Sequence, residues 1–281
     1  METSMSKTDG YLRSTLTAML LAACAACTTM ADKPAGPAAA PAVAPSGILR
    51  ATFLGSNPAQ ARIDAKTGEM SGVVPDLVRE LARRMGVPYE IYPAANAADI
   101  IQRLDQNKSD IGFFAYDAKR AKDVDFSHAY ALMYNAFTVS ANSKIVASSE
   151  VDRAGTSVAA VRGQTQQIVL SETAKNARVV VLDKKPTQQE LEAMLGSGQF
   201  DVYAANRQDA EQIAERSGGK LKALSDNFLV VEQSVVTSHG QTEKMAAINR
   251  LLDQMLKDGS VEKAVVGMNI KGLAVAEPKK P

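Results

Sequence analysis

From residue 47 to residue 256, short apolar runs of strand length alternate with longer stretches whose apolar residues recur at helical spacing. This alternation limits the possible folds more than any other feature of the chain. Residues 48–54, 88–92, 110–115, 137–140, 157–161, 179–182, 200–204 and 229–237 read as strands. Between them, Val73, Val74, Leu77, Val78, Leu81, Ala82 and Met85 mark one face of a helix that Gly86 closes. The segments 97–106, 166–174, 187–195, 208–217 and 242–256 follow the same helical pattern. Strands that alternate with helices predict parallel sheets covered on both faces, an α/β fold.

At 281 residues the chain can bury a full core and has room for two domains. Its 32 basic and 31 acidic residues nearly cancel. Nucleic acid as a partner would call for a basic stripe, so it is not expected. Two His remain outside the N-terminal segment and no Cys, too few ligands for a zinc or other transition-metal site. Gly218-Gly219-Lys220 lacks the spacing of a phosphate loop, and Gly196-Ser197-Gly198 is too short for a dinucleotide-binding turn. No cofactor is expected, and a monomer is.

The first residues read as a targeting segment. Lys7 and Arg13 precede an apolar stretch, 14–23, of signal-peptide length and too short to span a bilayer. Leu21-Ala22-Ala23-Cys24 resembles the lipobox of bacterial lipoproteins, which makes Cys24 the predicted lipidation site. An ordinary cleaved signal, cut after Ala31, is the alternative. Residues 25–46, rich in Ala and Pro, read as a linker without a core, and the tail 275–281 as polar.

Two features point to a ligand site. The first is Arg120, just past the carboxyl end of the apolar run 111–115, where open α/β sheets place ligands. A guanidinium there can take a carboxylate through two parallel hydrogen bonds. The competing reading is a surface arginine paired with Asp117 or Asp123 on a short helix. The second is an echo: residues 103–111 and 193–202 both run helix end, turn, Asp, strand. That is one unit used in each of two lobes.

Residues 48–271 also resemble a known family. Gly68 to Leu77 is similar to its Gly-x-x-x-Gly-x-x-x-Asp-Leu line, and 104–111 to Leu-x-x-Gly-x-x-Asp without the turn Gly. Arg120 to Tyr130 is similar to Arg-x-x-x-Val-Asp-Phe-Ser-x-Pro-Tyr with Ala129 at the Pro, and 198–202 to Gly-x-x-Asp-Ala-Val. These pieces, in this order, resemble the family 3 extracellular solute-binding proteins of polar amino acid ABC transporters. The resemblance implies a two-lobed, type II periplasmic binding protein-like fold with a hinge and an interlobe cleft. Lobe 1 would comprise 47–133 plus 233–274 and lobe 2 134–232.

The resemblance also implies function: non-enzymatic capture of a small carboxylate solute for a membrane permease and ATPase, in the periplasm. Arg120 would grip the carboxylate, and the loop Arg162 to Thr165 would present amides at a helix N-terminus. Three positions depart from an amino acid site: Asn206 stands at the amine-binding acid, Ala115 at a small hydroxyl residue and Ser56 near a stacking aromatic. Tyr116 is a candidate cleft wall, and Arg207 reads as solvent-exposed. Two alternatives stay open, a periplasmic cyclohexadienyl dehydratase-like enzyme using Glu172 or Asp183, and a sensory receptor without a transporter.

Overall fold

The computed structural model describes residues 39–55, 57 and 59–278. In chain order the elements are α1 (Ala40–Val43), β1 (Leu49–Leu54), β2 (Arg62–Ile63), β3 (Met70–Ser71), α2 (Val73–Met85), β4 (Tyr89–Ala94), α3 (Ala97–Asp105), β5 (Ile111–Ala115) and β6 (Val124–Ser140). There follow β7 (Ser157–Val161), α4 (Thr165–Thr173), β8 (Arg178–Leu182), α5 (Gln188–Gly196), β9 (Val202–Asn206) and α6 (Arg207–Arg216). The chain closes with β10 (Leu221–Ala223), β11 (Leu229–Ser238), α7 (Thr242–Lys257), α8 (Ser260–Gly267) and β12 (Leu273–Val275).

The main sheet runs β4-β1-β5-β11-β6-β9-β7-β8. Its two halves mirror one another. In lobe 1, β4, β1 and β5 are parallel and β5 meets the antiparallel β11. In lobe 2, β8, β7 and β9 are parallel and β9 meets the antiparallel β6. The repeated Asp has one job in both. Asp110 accepts the backbone N–H of Arg50 at the start of β1 (2.9 Å) and holds its guanidinium, Nη2 to Oδ1 2.8 Å. Asp201 accepts the backbone N–H and hydroxyl of Ser157 at the start of β7 (2.8 and 2.7 Å). Each carboxylate pins a strand start to its parallel neighbour, where the ladder leaves an N–H without a backbone partner.

Both faces of each half are covered, as the apolar runs require. In lobe 1, Phe53 and Phe113 face α2, α7 and α8, while Phe114 and Val236 face Ile100 and Leu104 of α3. In lobe 2, Ala159 and Tyr203 pack with Leu191 and Leu195 of α5, while Val158, Ala160 and Val202 pack with Leu170 of α4. Alternate residues of one strand supply opposite cores because the strand period is two.

Four features differ from the sequence reading. The 137–140 strand is only the end of the 17-residue β6, which begins at Val124. Its first part mixes polar and apolar residues, since only part of it is buried. The end of the predicted 25–46 linker is packed: α1 buries Val43, with Ala39 and Ala44, against lobe 1. Small side chains suffice to fill that groove. The predicted tail begins late, since Val275 belongs to β12 and Ala276 is buried. Arg207, read as exposed, is 9% exposed. The predicted lipidation site Cys24 and the predicted signal segment lie outside the described residues, and no described helix is long and apolar enough to cross a membrane.

Gly112 tests the lobe 1 core. A Cβ there would stand 2.5 Å from Ile100 Cγ2 and 3.0 Å from Val236 Cγ2. Gly112→Ala is expected to destabilise the protein by about 1–3 kcal/mol through overpacking, read as a lower urea midpoint with an unchanged slope.

Candidate functional site

The strand register locates the gap between the lobes. The last residue of β5, Ala115, pairs with Gln233, which pairs with Ala131 of β6. The last residue of β9, Asn206, pairs with Asn135 of β6. The carboxyl ends of both parallel sets therefore meet the same stretch of β6, four residues apart. At a rise of about 3.3 Å per residue the two ends are separated by about 13 Å along the strand. Carboxyl ends of parallel strands are where α/β sheets bind ligands.

On the lobe 1 side, β5 leads through Ala115 and the exposed Tyr116 into a 3-10 turn at Arg120–Lys122. Asp117 shapes this loop: its carboxylate accepts the N–H of Lys119 (2.8 Å) and its carbonyl accepts the N–H of Arg120 (3.0 Å). The Arg120 guanidinium lies 3.3 Å from Asp117 Oδ2 and 5.7 Å from the Phe114 ring centroid. Phe126 packs edge-on to both Phe114 and Tyr116, with centroids 5.5 and 5.0 Å apart. Arg120 thus has the Asp117 partner that a surface arginine would have. Its side chain remains 35% exposed and donates no hydrogen bond to a described residue.

On the lobe 2 side, β7 ends at Val161, and Thr165 opens α4. Arg162 turns away to the exposed Asp183, Nη2 to Oδ1 2.9 Å. Asn206 caps α6: its Oδ1 accepts the N–H of Asp209 (2.8 Å) and its Nδ2 donates to Asp209 Oδ2 (3.1 Å). The Asp209 charge is balanced by Lys185 at 2.7 Å. Register places Ala115 and Asn206 on the two sides of this stretch, and Arg120 reaches Tyr116 through Phe114 and Phe126. Among the described residues, no hydrogen bond or ion pair joins Arg120, Arg162 and Asn206 to one another. Ser56 lies outside the described residues.

Sequence reasoning does not single out three polar contacts near this gap. Asn135, 1% exposed, donates from Nδ2 to the carbonyls of Met133 (3.2 Å) and Leu229 (3.3 Å), one on each crossing strand. Its Oδ1 accepts from Gln166 Nε2 on α4 at 2.7 Å. One amide thereby ties the two crossing strands to the helix that begins at Thr165. Its only sequence signal is an Asn within an apolar strand run. Lys119 of lobe 1 pairs with Glu172 on α4, and this contact raises the Lys119 pKa. Gln60 accepts the N–H of Leu54 (2.9 Å) and donates to the carbonyl of Phe113 (3.3 Å), joining the ends of β1 and β5.

Cavities elsewhere are separate features. One of about 150 Å³ lies behind α4, lined by Phe137, Val158, Leu170 and Phe228. Another of about 320 Å³ lies at the start of α7 beside Ala42 and Lys244. Neither is lined by Arg120, Arg162 or Asn206.

The cap role of Asn206 is separable from ligand contact. Asn206→Ala should lower stability by about 1 kcal/mol, while Asn206→Asp, another capping residue, should hold it close to the parent; thermal unfolding of both variants measures this.

Comparisons with known proteins agree with this architecture. The family model described as bacterial extracellular solute-binding proteins, family 3, matches residues 49–266. The L-cystine-binding protein TcyJ of Escherichia coli K12 is 22% identical over 197 residues, covering 69% of this chain and 73% of that protein. The periplasmic VFT2 domain of Bordetella pertussis BvgS superposes with a TM-score of 0.64 at 20% identity, covering 84% of this chain and all of that one (100%). The ancestral amino acid-binding protein AncCDT-1, a precursor of cyclohexadienyl dehydratase, gives 0.58 at 23% identity, covering 80% and 96%. The mirrored parallel sets joined by long antiparallel strands, together with the family match along most of the chain, establish that this protein belongs to the family 3 bacterial extracellular solute-binding proteins.

Proposed function

We propose that the chain captures a small carboxylate-bearing solute, an amino acid or an organic acid, between its lobes and delivers it to the permease and ATPase of an ABC importer. The observation that carries this reading is the Arg120 guanidinium. It stands past the carboxyl end of β5, beside the gap, with five N–H donors. Asp117 approaches at 3.3 Å, and no described residue accepts a hydrogen bond from the fork. The buried arginine Arg207, by contrast, is fully engaged by carbonyls, with Leu224 O at 2.7 Å. A planar fork left open at a strand end suits a bidentate carboxylate. Tyr116 and Ala115 form the adjoining wall, and Thr165 and Asn206 close the opposite side. Arg162 would have to leave Asp183 to reach the solute.

Binding without turnover is the accompanying reading. Glu172 and Asp183, the acids nearest this side of lobe 2, are each held in an ion pair, with Lys119 and with Arg162. Neither is set up as a free carboxylic acid for proton transfer. The protein works in the periplasm, anchored through a lipid on Cys24.

A thermal-shift series of amino acids and small organic acids identifies the ligand class, since a bound solute stabilises by mass action. Carboxylates are expected to raise the melting temperature and their amide counterparts to leave it unchanged. Arg120→Ala should then weaken calorimetric binding of the best carboxylate by roughly 2–5 kcal/mol, because the buried carboxylate loses its partner. Equal affinity in the variant would remove Arg120 from the site. Conversion of prephenate or arogenate by the pure protein would overturn binding without turnover.

A further inference from the structure

We propose that the C-terminal segment Ile270 to Ala276 is a further tie between the lobes, a strap that restrains their rotation about the crossing strands. The segment starts in lobe 1, where Val261, Val265 and Met268 of the α8 region are buried in the core with α2 and α7. It ends along β6. There β12 is antiparallel to the crossing, with Leu273 opposite Met133, Ala274 opposite Leu132 and Val275 opposite Ala131. Its flanks continue the ladder: Tyr134 donates its N–H to the carbonyl of Gly272 (2.7 Å), and Ala276 donates to that of Tyr130 (3.2 Å). On its other edge, β6 pairs with β11 over the same residues, with Val231 opposite Met133. At the crossing, β6 therefore has no free edge.

Between these two anchors the strap touches lobe 2. Lys271 Nζ lies 3.1 Å from Glu211 on α6. Gly272 has φ +78°, and a Cβ there would stand 2.3 Å from Arg207 Cβ and 2.8 Å from Cγ. Arg207 cannot yield. Its guanidinium donates to the carbonyls of Leu224 (2.7 Å) and Ser225 (3.3 Å) and, from Nε, to Asn227 Oδ1 (2.9 Å). That loop leads into β11. The strap is thus fixed to lobe 1 by α8, lies on the hinge strand, and is wedged against the first turn of α6, the helix that Asn206 caps.

Any rotation of lobe 2 about residues 131–135 must move Arg207 against Gly272 or away from it and must alter the Lys271–Glu211 pair. The contacts fit one lobe arrangement closely and others poorly. The strap therefore favours the arrangement described here over wider openings, without touching the solute.

The test needs no ligand. Labels are placed at Lys66→Cys in lobe 1 and Lys184→Cys in lobe 2, both exposed, in the full chain carrying Cys24→Ser and Cys27→Ser. Electron–electron double resonance then gives the interlobe distance distribution of the ligand-free protein. The parent should give one narrow distribution. Gly272→Val, and a chain ending at Asn269, should give longer or broader ones while each still melts cooperatively. If only one variant folds, that one is read alone. A folded variant with the parent's distribution overturns the proposal. Failure of both variants to fold also overturns it, because the segment would then belong to the core rather than restrain lobe motion.

Discussion

The antiparallel pairing of β6 with β11 is the interaction on which the rest of the structure depends. It runs from Val124 opposite Ser238 in lobe 1 to Asn135 opposite Leu229 at the entrance to lobe 2. Each lobe adds its parallel strands to one edge of this ribbon, and so the carboxyl ends of both sets come to the ribbon's middle. The gap is therefore a product of register. The ribbon is not regular there: the pairing shifts between Gln233 and Ser234 and again before Val236. Ser127 Oγ accepts the N–H of Val235 (2.9 Å) where the ladder is interrupted. Such bulges bend and twist a strand, which lets one ribbon serve two sheets of different orientation.

Around the gap, the polar groups fall into two kinds. Most are closed upon themselves: Asn206 with Asp209, Arg162 with Asp183, Asn135 with Gln166. These arrangements hold helix starts and crossing strands in place. The Arg120 fork differs: Asp117 lies 3.3 Å away, and among the described residues none accepts a hydrogen bond from it. Asp117 offsets part of its charge, and under the proposed function a carboxylate would meet the remaining donors.

Much of the architecture is legible in the residues. Period-two and helical patterns locate the parallel strands and nearly all the helices, because these segments are buried on a regular face. The echo of Asp110 and Asp201 is legible because both carboxylates perform the same local task. The crossing is not, since the first half of β6 mixes buried and half-exposed positions and its partners lie more than 90 residues away, as Asn135 and Leu229 illustrate. Short, weakly apolar pieces such as α1 and β12 escape notice because tertiary contact, not intrinsic propensity, makes them form. For the site, sequence alone places Arg120 at a strand end. The burial of Arg207 and the amide hub at Asn135 depend on contacts from other elements and leave no pattern in the sequence.

Under the proposed function, the Arg120 guanidinium past the end of β5 receives a carboxylate between the two lobes. A crystal structure with the most stabilising carboxylate solute tests it most directly. The account predicts two carboxylate oxygens within hydrogen-bond distance of the Arg120 guanidinium, with the rest of the solute between the ends of β5 and β9. A solute seated behind α4, or one in the gap whose carboxylate points away from Arg120, would contradict it.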